Sequence, residues 1–117
     1  PIESDVDSTG DNLIRLFKNT VQENYKSEHS ATYYAEKLSI TPDHLNRVIK
    51  SKVGKTAKDY IQSRIMIEAK RLIYFTDLSN KEIGYELGFS EPANFSAFFK
   101  KCTGVSPSNF KKKESIH

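Results

Sequence analysis

A chain of 117 residues with 37% hydrophobic content, seven Phe and six Tyr can bury one modest core, which excludes a disordered chain and fits a single domain. Its formal charge of +3 rises to +6 once the first ten residues, which carry Glu3, Asp5 and Asp7 and no cation, are set aside, a balance that only weakly favours a polyanionic partner. Cys102 stands alone, which excludes a disulfide framework or a thiolate metal cluster, and no apolar run approaches the ~18 residues of a membrane span.

Pro1 to Gly10 is acidic, lacks periodicity and begins without Met, so it is expected to be a flexible linker or arm, as if cut from a longer protein. No signal peptide is visible. From Asp11 to about Glu28, Leu13, Leu16, Phe17, Val21 and Tyr25 recur at helical spacing and predict a first helix packed through one face. Ser30 can cap a second helix over Ala31 to Leu38. Thr41-Pro42 is a cap followed by proline at the first helical position, where its missing amide costs nothing, and opens a third helix to about Lys52. Thr56, with Asp59 three residues on, starts the longest helix, which runs to about Phe75 with Ile61, Ile65, Ala69, Leu72 and Ile73 along one face.

Asp77 to Asn80 breaks that helix, and Ser79 with Glu82 forms a capping box for the next. Ile83, Leu87 and Phe89 give it an apolar side, and Gly88 can supply the left-handed residue that ends it. Ser90 is expected to cap a sixth helix in which Phe95, Phe98 and Phe99 form the apolar face, beside Ala93, Asn94, Ser96 and Ala97 and then Lys100 and Lys101. Ser106-Pro107 opens a short last helix reaching Lys113, and 114–117 is left as a tail. No stretch alternates with the period of a strand. Taken alone, residues 79–107 fit a plain helical hairpin as well as a helix-turn-helix.

Duplication decides between them. At an offset of about fifty residues, Leu38 falls on Leu87, Ile40 on Phe89 and Thr41 on Ser90; after one extra residue in the second copy, Leu45 falls on Phe95, Lys50 on Lys100, Gly54 on Gly104 and Tyr60 on Phe110. The fold is therefore expected to be all-α, with two helix-turn-helix subdomains joined by a long bridging helix and about seven helices in total.

Several ordered residues carry a family likeness: Ala69, Leu72 and Ile73, then Glu82-Ile83, Gly88-Phe89-Ser90, Phe95-Ser96, Phe99-Lys100-Lys101, Gly104-Val105-Ser106-Pro107 and Phe110, with His44-Leu45-Asn46-Arg47 in the first copy. On these the chain resembles the DNA-binding domain of the AraC/XylS family of bacterial transcription regulators, over Asp11 to Lys113. The resemblance implies a cytoplasmic output domain that binds double-stranded DNA and works with RNA polymerase. It also implies a domain that is monomeric when isolated, in a protein that can dimerise through a separate sensor domain.

Candidate contacts follow from the chemistry of the duplex. Thr41, Lys50, Ser90, Lys100, Lys101 and Lys111 are the phosphate candidates, as cations or as hydroxyls at helix starts. Base edges are expected to meet Asp43, Asn46 and Arg47 in the third helix. An arginine grips both guanine acceptors, an asparagine pairs both adenine groups, and an aspartate accepts from cytosine. Family members often carry arginine where this chain has Ala97 and a polar residue where it has Pro92. The second copy therefore offers Ala93, Asn94, Ser96 and Ala97, one polar contact and methyl contacts to thymine. His44 is expected to pack at the helix edge. His29 and His117 lack partners at metal spacing, so no metal or cofactor is expected, and no nucleophile, base and acid arrangement suggests an enzyme. The rival function is a helical adaptor that uses the same faces to bind a protein.

Overall fold

The computed structural model describes residues 2–115, with side chains over 10–112; Pro1, Ile116 and His117, which fall in the expected arm and tail, lie outside the described residues. Seven helices follow one another: α1 (Ile2–Asn24), α2 (Ala31–Lys37), α3 (Pro42–Val53), α4 (Ala57–Phe75), α5 (Asn80–Glu86), α6 (Pro92–Thr103) and α7 (Pro107–Ser115). The chain divides into two compact units, with the boundary between Arg64 and Ile65, inside α4.

In the first unit α1, α2 and α3 pack on one another, with the start of α4. Phe17, Val21 and Tyr25 are buried at spacings of four, and Tyr34, Ala35, Leu45, Ile49, Ala57 and Ile61 close the core around them. The Phe17 ring meets Tyr34 edge-on at 6.1 Å and Tyr60 at 5.3 Å. The Tyr34 hydroxyl donates to the Glu28 carbonyl at 2.7 Å and so pins the loop before α2, and burial pushes its pKa up. Two expectations fail here. Leu16 is exposed, because it lies off the stripe that Phe17, Val21 and Tyr25 define. And α1 starts at Ile2 rather than Asp11, so residues 2–10 continue the helix instead of preceding it. No residue between 2 and 9 is a glycine or a proline that would break a helix.

In the second unit the later turns of α4 bury Ile65, Met66, Ala69, Leu72 and Ile73, and α5, α6 and α7 add Ile83, Leu87, Phe95, Phe99 and Pro107. Aromatic rings dominate this core: Phe95 lies 5.5 Å from Phe89 and 6.0 Å from Phe99, which in turn meets Phe110 at 5.3 Å. Each such side chain contributes about 1.5–3 kcal/mol by leaving water. Gly84 lets α5 and α6 approach closely, since a Cβ there would stand 3.1 Å from the Phe95 Cβ. Cys102 is exposed, and partial burial of its thiol raises its pKa against the pull of Lys101 and Lys70.

Candidate nucleic-acid interface

The two units build the same turn from different residues. After α2, Ile40 donates to the Ala35 carbonyl at 3.0 Å and Ser39 to Glu36 at 3.0 Å; after α5, Phe89 donates to Gly84 at 2.9 Å and Gly88 to Tyr85 at 3.1 Å. The left-handed residue that each turn needs is Ser39 (φ 61°) in the first and Gly88 (φ 88°) in the second. Only the second carries no Cβ penalty.

In the first unit the turn delivers α3. Thr41 caps it by accepting from the His44 amide at 3.1 Å, Pro42 fills the first turn, and Gly54 closes it. Leu45 and Ile49 point inward. Outward stand Asp43, His44, Arg47 and Lys50, all exposed. Asp43, Arg47 and Lys50 follow at spacings of four and three, so they share one stripe. Lys52, on the other side of the helix, pairs with Asp11 at 3.7 Å. Asn46 does not join the stripe. It is half-buried, and its Oδ1 accepts from the Ala57 amide at 2.9 Å, which commits its carbonyl oxygen to the start of α4. An asparagine reading adenine needs that oxygen, so Asn46 here serves as a structural group, whereas its neighbour Arg47 is exposed. His44, expected at a packed edge, is exposed instead; its second-unit counterpart Asn94 was the signal that could have placed it among the candidates.

In the second unit α6 repeats α3 at an offset of fifty, from Pro92 to Thr103 with Gly104 as its left-handed cap. Phe95 and Phe99 are buried where Leu45 and Ile49 are. The exposed positions carry Ala93, Asn94, Ala97, Lys100 and Lys101, while Ser96, like Asn46, is half-buried. Where α3 has Arg47, α6 has Ala97. Ser90 is not the cap. The extra residue of this copy is Glu91, which takes the cap position with no side-chain hydrogen bond, so Ser90 lies exposed one residue before it. The second helix thus lacks the hydroxyl that Thr41 gives the first, and carries an acid at its start. On α7, Ser106 accepts from the Asn109 amide at 3.1 Å as Thr56 does from Asp59, and Lys111 is exposed. Its first-unit counterpart is the buried Ile61.

The outer face of α3 therefore offers an acid, an imidazole and two cations beside the Thr41 hydroxyl, and that of α6 small groups, an amide and two cations. Among the described residues no group of three or more His, Cys, Asp and Glu could hold a metal ion, and no helix is long and apolar enough to cross a membrane. The family model for the helix-turn-helix domain matches residues 34–113, from within α2 into α7. The arabinose operon regulatory protein of Salmonella typhimurium is 29% identical over 93 residues, 74% of this chain and 33% of that protein. The chain spans 13%, 22% and 33% of the length of three of the curated relatives it matches. Among solved structures, it is similar to the C-terminal domain of the two-component response regulator YesN from Fusobacterium nucleatum, with a TM-score of 0.79 and 29% identity over 86% of this chain and 98% of that one. The DNA-binding domain of AdpA, solved with a target DNA, shares the fold at a TM-score of 0.74 and 19% identity, over 86% of this chain and 90% of that one.

Proposed function

We propose, for a chain that belongs to the AraC/XylS family of helix-turn-helix regulators, that it binds duplex DNA with α3 and α6 in adjacent major grooves and so serves as the output domain of a transcription regulator. The observation that carries this reading is the repetition itself. Two short helices have their apolar sides buried at matching positions, and each presents exposed small, polar and cationic groups outward. The solved DNA complex of a protein with this fold supports it.

Arg47 and Asp43 are the base readers of the first half. Ala93, Asn94 and Ala97 make softer contacts in the second, and Lys50, Lys100, Lys101 and Lys111 hold phosphates with the hydroxyls of Thr41 and Ser90. Major-groove faces on one side of the duplex lie ~34 Å apart, one helical turn, and α3 and α6 are taken to enter two successive ones. One monomer then suits one asymmetric site with half-elements about ten base pairs apart, and modest bending of the DNA is expected.

Two experiments test this. With four to six phosphates neutralised, the logarithm of affinity should fall against the logarithm of salt with a slope of about −4 to −5, and Lys100→Ala should reduce that slope by about one. A flat slope would refute duplex binding. Inserting five base pairs between the half-elements turns one to the opposite face and should weaken binding sharply; unchanged affinity would mean that the two helices do not bind together.

A second reading, contact with a protein such as RNA polymerase, is favoured by one feature of the second unit. Ile67, Tyr74 and Phe75 are exposed on α4 and, with Lys70, Arg71 and Phe110, line a groove of about 560 Å³. Phe75→Ser should leave duplex affinity intact and lower transcriptional output from a reporter; unchanged output would remove this reading.

A further inference from the structure

We infer that residue 57 decides whether residue 46 holds the fold or reads DNA, an inference that rests on the DNA binding proposed above. Ala57 is the first residue of α4 and fully buried. Its amide is among the first four of a helix, which have no acceptor within the helix. The Thr56 hydroxyl does not serve it, because that oxygen accepts from Asp59 at 3.1 Å. Asn46, eleven residues back in the middle of α3, supplies the acceptor at 2.9 Å. A buried donor left without one is costly, so this side chain is held in place.

The second unit removes the need. Its residue at the place of Ala57 is Pro107, also buried, which has no amide to satisfy. Ser106 still accepts from Asn109 at 3.1 Å, so the rest of the cap is unchanged. Eleven residues before Pro107 stands Ser96, a residue with no carboxamide. The first unit thus pairs an amide with a carboxamide (Ala57 with Asn46), whereas the second has no amide to satisfy at Pro107 and carries the shorter Ser96 at the place of Asn46. A proline is well tolerated at the first position of a helix, and the second unit already places one there. In the native chain α3 reads with Arg47 and Asp43, while the Asn46 carboxamide is occupied. With the amide removed, that carboxamide is released one residue from Arg47, where both its groups could pair with adenine.

The test joins a double-mutant cycle to a site selection, both on the full chain. In urea unfolding, Asn46→Ala should lower the folding equilibrium constant by about tenfold or more, and by much less when Ala57→Pro is also present. An equal loss in both backgrounds would overturn the pairing. Should Ala57→Pro fold poorly, hydrogen exchange at the Ala57 amide gives a second reading. It should quicken severalfold in Asn46→Ala, and unchanged protection would overturn the pairing equally. Selection from random duplexes should then return a new adenine preference at one position for Ala57→Pro, lost again on adding Asn46→Ala; an unaltered selection would overturn the release. Unfolding and exchange involve no DNA. If no duplex binds at all, the proposed function fails while the pairing can still stand, and the two failures remain separate.

Discussion

Leu45 and Ile49 in the first unit and Phe95 and Phe99 in the second occupy the same two turns of their helices, and all four are fully buried. Around them the units diverge. Thr41 caps α3 through its hydroxyl whereas Glu91 leaves α6 without a side-chain cap, Ser39 turns where Gly88 turns, and Arg47 stands where Ala97 does. What the two have in common is the apolar spacing and the chain reversal, which fix where a helix lies. Lys50 and Lys100 aside, what differs is most of what its outer face can recognise. A duplicated frame can therefore carry one helix suited to reading bases and another suited to anchoring, because packing constrains only the inner positions.

The largest expected effect tests whether the two cores are equivalent. Phe95→Ala should cost about 3–5 kcal/mol and Leu45→Ala about 2–5 kcal/mol in denaturant unfolding. The loss should be greater for Phe95, which also gives up ring contacts to Phe89 and Phe99; a greater loss at Leu45 would reverse the comparison. Next comes the outer face. Arg47→Ala should weaken the preferred duplex by about 1–3 kcal/mol and relax one base position, and Ala97→Arg should sharpen the second half-site. If Arg47→Ala weakens all sequences alike, Arg47 holds phosphate and the asymmetry between the helices disappears.

Exchanging the turn residues should move stability in opposite directions by about 1 kcal/mol each. Ser39→Gly removes a Cβ from a left-handed position, and Gly88→Ser adds one. Thermal unfolding that fails to separate the two variants would show that these turns are not equivalent. The smallest effect concerns pH. Glu82 accepts from the Ser79 amide at 3.0 Å, and this, together with the Ser79 hydroxyl, holds its carboxyl below the ordinary value. The stabilisation it lends α5 is fully present above the ordinary carboxylate pKa and is lost as the pH falls through the lower folded value. The Ser30 cap of α2 has no acid in its first turn. Amide chemical shifts followed from neutral to acid pH should show α5 fraying before α2, and simultaneous fraying would remove this difference.

The helices, their order and the repeat were legible in the sequence because each depends on local periodicity and on residues that start or stop a helix. Thr41-Pro42, Ser79 with Glu82, and the left-handed Gly88 sit at helix ends as the sequence leads one to expect. The buried face of α4 was legible for the same reason. What only the tertiary structure decided was which polar residues are free. Asn46 looks like a base reader by type and position, yet a buried amide from a helix eleven residues away occupies it. Ser90 looks like a cap, yet one inserted residue hands that place to Glu91. Periodicity tells which side of a helix faces inward; whether a half-buried polar group already has a partner depends on backbone atoms that folding brings to it from elsewhere in the chain.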